Sequence, residues 1–384
     1  MRWSELSHWR WLSADEQTYN GPMPALRIYA GPQARRHIER QGLHPADVGI
    51  VPGAAGGPKG LILGPLDRFL FGEWLPTTDH DVHLVGASIG AYRMAAACLR
   101  DPVQALLRLE RDYTSQHYEL PAGKRRPSAA YVSQRFSEGL ASFYEGRVPE
   151  VLAHPRFRLH VVTTRGRHLL RREHRVGTPV GYLGAFLSNT LHRKAMGAWL
   201  ERVVFSAPET RGAWPLPFGT DDFPTRQVPL SQANFQQALQ ASCSIPFVLQ
   251  AVHDIPGAPR GAYWDGGITD YHLHLKYDSG PGAGLVLYPH FQKAIVPGWL
   301  DKALKWRHRA TAFLDRMIVL APDPEWVRSL PNGKLPDRTD FTRYGADLQG
   351  RIAAWKAAAG ASEQLAQEFA QWLERPDPGR VEAL

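Results

Sequence analysis

Short continuous apolar runs alternate with longer amphipathic stretches along most of the chain. "DVGIV" (47–51) and "DVHLVG" (81–86) are apolar apart from their leading aspartates and His83, which predicts strands buried on both faces. "ALRIYA" (25–30), "RFRLHVVTT" (156–164), "RVVFSA" (202–207), "GAYWDGG" (261–267), "GAGLVLYP" (282–289) and "DRMIVLA" (315–321) have strand length and strand composition. Helical patterns fall between them at 32–43, 64–75, 89–109, 231–242 and 341–375. Pro32 and Pro65 stand at first-turn positions, Pro102 predicts a break in the third helix, and Ser231 a cap on the fourth. A polar, proline-bearing excursion fills 114–130, a proline-rich loop 208–229, and "HLHLKYD" (272–278) reads as an edge strand or hairpin. Strands alternating with helices predict a three-layer α/β/α sandwich around a mainly parallel sheet.

With 384 residues, 43% of them hydrophobic, the chain has ample material for one large core. The domain reading is an N-terminal extension over 1–44, a main body over 45–322 and a helical C-terminal extension over 323–384. Lysine and arginine exceed aspartate and glutamate by 45 to 37. This excess suits an anionic partner such as a lipid surface, and equally a merely soluble basic protein. Two cysteines, Cys98 and Cys243, allow no disulfide framework and no zinc spacing. The N-terminus lacks an apolar core of signal-peptide type, and no apolar run reaches eighteen residues. A cytoplasmic protein with peripheral membrane contact is the expectation. Trp3, Trp9 and Trp11 suit either packing onto the body or an interface.

The chemistry begins at "GASIG" (86–90), where Ser88 lies between a strand and a helix. A serine on such a turn is exposed as a nucleophile, and its neighbours Gly86 and Gly90 must be small. "GAAGGPKG" (53–60) resembles a phosphate loop but fails as one. Lys59 is followed by Gly60 rather than by serine or threonine, and residue 55 is alanine where a dinucleotide fingerprint needs glycine. A right-handed crossover from strand 47–51 to strand 81–86 brings both loops to one end of the sheet. The Gly56 and Gly57 amides can then meet an oxyanion formed at Ser88. Asp265, ahead of Gly266 and Gly267, is framed to aim a carboxylate into a cleft, though a plain turn explains the same letters. As a base it needs desolvation, because an ordinary carboxylate near pKa 4 is weak.

"AGGPKG" (55–60), "GASIG", "ASCSIPFVL" (241–249) and "DGG" (265–267), in that order, resemble the motifs of the patatin-like phospholipase family. The resemblance covers about residues 47–270. It implies a patatin-like fold and a serine–aspartate dyad of Ser88 and Asp265 without histidine. It further implies an oxyanion loop at Gly56 and Gly57, a phospholipid or other lipid ester as substrate, and no metal or organic cofactor. Lys59 stands where the family has arginine or lysine, either holding the loop or touching a lipid phosphate. Ala55 departs from the family's first glycine, and Tyr271 stands where many relatives have proline. Two alternatives remain: an esterase or thioesterase with a Ser-His-Asp triad using His290 or His308, and an inactive lipid-binding protein.

The arginines of "RGRHLLRREHR" (165–175) suit anionic headgroups or a solvated face. His272 and His274 would share one face of a strand, half of a metal site or simply a polar edge. Cys98, among helix alanines, reads as core, and Cys243 lies near the site without a basic activator. No nucleic-acid-binding module is recognisable.

Overall fold

The structure, a computed structural model, describes residues 23–119, 126–209, 212–278 and 284–384. Trp3, Trp9 and Trp11 lie outside the described residues. In chain order the strands are β1 (Leu26–Ala30), β2 (Val48–Gly53), β3 (Val82–Ala87), β4 (Phe157–Gly166), β5 (Leu200–Ser206), β6 (Pro208–Glu209) and β7 (Gly212–Ala213). β8 (Thr225–Pro229), β9 (Val252–His253), β10 (Ala262–Asp265), β11 (Leu285–Pro289), β12 (Met317–Pro322) and β13 (Val381–Ala383) follow. The first helices are α1 (Pro32–Gln41), α2 (Gly64–Phe69), α3 (Ile89–Ala97), α4 (Pro102–Thr114), α5 (Ala129–Tyr144) and α6 (Val148–Leu152). The rest are α7 (Gly177–Leu191), α8 (Phe235–Cys243), α9 (Gly267–Asp270), α10 (Pro324–Ser329), α11 (Thr339–Tyr344), α12 (Leu348–Ala361) and α13 (Glu363–Glu374).

Among the described residues, eleven strands form one sheet. Its path runs β13-β1-β12-β11-β2-β3-β4-β10-β9, with β5 and β8 added through β4. The central run β12-β11-β2-β3-β4 is parallel, and antiparallel pairs occur toward the margins. The residues of β2, β5 and β12 are buried along their whole length, as strands covered by helices on both faces must be. The expected α/β architecture with a mainly parallel sheet is therefore what the chain adopts. The sheet also draws strands from beyond 45–322: β1 pairs with β12 on one side and with β13 on the other.

β4 determines where the site forms. Its residues 157–162 pair with β3, while 163–165 pair with β10, and β5 occupies the opposite edge over 160–166. β3 runs parallel to β4 and β10 antiparallel, so both advance along the same edge and meet end to end. Ala87 sits opposite Val162, and Asp265 opposite the next residue, Thr163.

Several local expectations shift. The third helical pattern breaks earlier than Pro102: α3 ends at Ala97, and α4 restarts with Asp101 as its cap, accepting from the Gln104 amide at 3.0 Å. The proline-rich stretch 208–229 contains β8, parallel to β5. α8 starts at Phe235 with Asn234, not Ser231, at its N-cap. "HLHLKYD" forms no strand, only a single bridge between Tyr277 and Phe218. A positive φ of 49° at Leu273 interrupts the extended geometry that would put His272 and His274 on one face. The two imidazoles instead bond separately, His272 to the Ala294 carbonyl and His274 to the Ile295 carbonyl and Thr311.

Candidate active site

β3 delivers Ser88 to a turn with φ 55° and ψ −130°, in the left-handed half of backbone space. A non-glycine residue there is strained by about 1–3 kcal/mol, which the surrounding packing must hold. That packing is close. A Cβ on Gly90 would lie 1.8 Å from the Gly53 carbonyl oxygen, and one on Gly86 would lie 2.4 Å from the Ala91 Cα. The helix after the serine thus presses directly on β2 and β3, as the small residues of "GASIG" allow.

β10 delivers Asp265 from the other direction. The Ser88 hydroxyl donates to Asp265 Oδ2 at 2.7 Å, and the Gly267 amide donates to Oδ1 at 2.7 Å. Both side chains are buried. Burial pushes the Asp265 carboxyl up to about 6, against the opposing pull of the Ser88 bond and the Arg338 charge. Gly266 fits because a Cβ there would lie 2.1 Å from the Val162 carbonyl oxygen. The end of α8 ties both arms together. Ser242 Oγ accepts from the Ser88 amide at 2.9 Å and donates to the Val162 carbonyl at 2.7 Å. The Ser242 and Ser244 carbonyls accept from the Gly266 and Asp265 amides. Two of the serines in "ASCSIP" are therefore scaffolding for the pair. The Cys243 thiol between them is pushed well up by burial and by the Asp265 charge, and so is held protonated.

Ser88 and Asp265 open into a cavity of about 250 Å³ that Ala55, Gly56, Lys59 and Gly267 also line. Among the described residues, neither the Gly56 nor the Gly57 amide has a hydrogen-bond partner, whereas the Ala55 amide donates to the Tyr271 carbonyl. Gly57 has φ +58°, a conformation that favours glycine, and lies behind the lining, toward Tyr113 and Arg338. Pro58 has no amide hydrogen and cannot donate.

Three cations ring the cavity: Lys59, Lys302 and Arg338. None has a carboxylate within ion-pair distance among the described residues; Asp337 beside them pairs with Lys334. Lys59 lies 5.2 Å over the Phe291 ring, and burial lowers its pKa. Lys302 is exposed as a residue, and its amine sits 4.0 Å from the Tyr271 ring centre. Desolvation there, with the charges of Arg338 and Lys59, brings it down to about 8. Lys302 and Arg338 carry no motif and were not visible in the sequence. Of the two histidines weighed for a triad, His290 bonds the Gln292 carbonyl and His308 the Asp301 carbonyl. Neither touches Ser88 or Asp265.

Fold and site together define an α/β protein in which a serine and a carboxylate pair where two strands converge. No family model matches the chain, and no curated protein matches it. Among solved structures it is similar to human GIVD cytosolic phospholipase A2, at 11% identity and a TM-score of 0.42, with 89% of this chain and 62% of that chain covered. It is also similar to VipD from Legionella pneumophila, at 14% identity and a TM-score of 0.35, with 93% and 72% covered. The chain thus matches less than two thirds of the length of the phospholipase.

Proposed function

We propose that this chain is a patatin-like serine acyl hydrolase that cleaves fatty-acyl esters of lipids through the Ser88–Asp265 pair. The observation that carries the reading is the 2.7 Å bond from the Ser88 hydroxyl, on a strained turn, to a buried carboxylate. Burial raises the proton affinity of Asp265 from an ordinary 3.8 to about 6, which makes it an effective base while it stays mostly ionised at neutral pH.

In the first half-reaction Asp265 takes the hydroxyl proton as Ser88 Oγ attacks the ester carbonyl carbon. The carbonyl π pair moves onto oxygen, and the unpartnered amide of Gly56, which lines the cavity, receives that charge, with Gly57 immediately behind it. The tetrahedral carbon then expels the alcohol or lysolipid, which leaves with the proton from Asp265. In the second half-reaction Asp265 deprotonates a water that attacks the acyl carbon. Ser88 departs, recovers the proton, and the fatty acid is released. The chemistry needs no metal or organic cofactor.

The unpaired Lys59, Lys302 and Arg338 favour an ester that also carries an anionic group, as a phospholipid does. A dyad is favoured over a triad because His290 and His308 bond to backbone carbonyls instead.

Fluorophosphonate labelling of wild type, Ser88→Ala and Asp265→Asn, with a lipid-ester panel, tests the proposal. Wild type should label at Ser88. Ser88→Ala should lose labelling and about 10⁴-fold or more of turnover. No labelling of wild type would return the chain to the lipid-binding alternative. Loss of turnover on replacing His290 or His308, with fold retained, would favour the triad.

A further inference from the structure

α7 is built inside out. Its fifteen residues contain no charged side chain, and apart from the Tyr182 ring its buried face is small or polar: Thr178, Gly181, Ala185 and Asn189. Its outer face is aliphatic. Val176, Val180, Leu183, Leu187 and Leu191 follow one another at helical spacing and are 50–85% exposed. A helix of a water-facing surface has the opposite pattern, and a contiguous apolar stripe of this kind marks a binding surface.

The surroundings identify what it binds. Residues 165–194 carry seven arginines and lysines against one acid, Glu173. Arg171, Arg172 and Arg175 precede the helix and Lys194 follows it, all exposed and without ion-pair partners among the described residues. An apolar stripe bounded by cations at both ends complements an anionic lipid surface, with leucines in the acyl boundary and guanidinium groups among headgroups. Fifteen residues are too few to span a bilayer core, and no helix among the described residues is long and apolar enough to do so. The stripe also leads to the cavity. The Phe247 ring lies 6.0 Å from that of Tyr182 on α7. Phe247 and Val248 are exposed, and the preceding Ile245 and Pro246 line the cavity with Ser88. At the other end, Asn189 donates to Asp301 at 2.8 Å, between the cavity residues Trp299 and Lys302.

We infer that the outer face of α7, continued by Phe247 and Val248, is the surface by which the protein lies on an anionic bilayer, with its cavity mouth against the lipid. The lipid-ester reading motivates the choice of occupant, but the surface is tested without it.

Binding is measured by co-sedimentation of full-length Ser88→Ala with vesicles of phosphatidylcholine, alone or mixed with phosphatidylglycerol. The mixed vesicles should bind more tightly, and added salt should weaken that binding. Leu183→Glu combined with Leu187→Glu should cut it by about tenfold or more, from lost apolar burial. Arg171→Gln, Arg172→Gln and Arg175→Gln should each cost about fivefold on anionic vesicles only. In the active background, the double leucine variant should hydrolyse a short soluble ester at the wild-type rate and lose turnover on vesicles. That arm also separates the two proposals: vesicle binding without any ester hydrolysis sinks the catalytic reading and leaves the surface standing. Wild-type affinity in the double variant, or no binding to either vesicle, overturns the inference. So does light scattering that shows a dimer split by the leucine changes, because the stripe would then meet a second copy.

Discussion

At the scale of single residues, the site rests on a carboxylate that is costly to hold. The folded-state value of Asp265, about 6, lies above the ordinary 3.8, so folding favours its protonated form. Its contribution to stability is fully present below about pH 4 and is lost as pH rises through 6. Asp265→Asn keeps a hydrogen-bonding side chain without the charge. It should therefore raise stability above pH 7 by about 3 kcal/mol and change little at pH 4, as urea melts at the two pH values would show. In the proposed mechanism the same group sets the acid limb of activity: turnover should rise through pH 6. Lys302, near 8, sets a basic limb only where its charge is used. An anionic ester should thus show a bell-shaped kcat/KM profile between about 6 and 8, while a neutral ester shows only the rising limb. A basic limb on both substrates would remove Lys302 from substrate binding. Ser88 and Asp265 were legible in the sequence because glycines frame each of them. Lys302 and Arg338 were not, because a lone cation in a polar loop carries no signal until the fold brings it to the cavity.

At the scale of elements, α8 acts as the clamp. Ser242 Oγ is the acceptor for the Ser88 amide, and the last carbonyls of the helix hold the Asp265 arm. Ser242→Ala leaves that buried amide unsatisfied, costing about 1–3 kcal/mol of stability. It should also lower kcat by about tenfold or more through misplacement of Ser88, with KM little changed, and Ser242→Thr should restore most of it. Equal loss in the threonine variant would count against the hydroxyl. "ASCSIP" was readable as a motif, but its task was not, since hydrogen bonds to residues 88 and 162 leave no trace in local pattern. The strands were largely legible because they are short and apolar on both faces. β8 was hidden by two prolines and partial exposure. "HLHLKYD" misled because its alternation mimics a strand while its imidazoles each turn to a nearby backbone carbonyl.

At the scale of the whole molecule, the sheet gathers both flanks of the chain. β1 and β13 pair side by side, and Arg338 reaches the cavity from beyond β12. Alternation of strands and helices made the parallel centre predictable. The end-to-end approach of β3 and β10 was not, since it depends on β4 running past one partner and on to another. The Ser88–Asp265 bond joins residues 177 positions apart, so it forms only after non-local strand pairing is in place. In refolding from urea, ester hydrolysis should return with the slowest phase of tryptophan fluorescence; activity that preceded it would show the pair assembling without the sheet. A half-made or half-unfolded chain then keeps the serine and the carboxylate apart. On the proposed reading, the collision of two strand tips on a common neighbour works as a safety catch: an immature polypeptide stays unreactive until its architecture is finished.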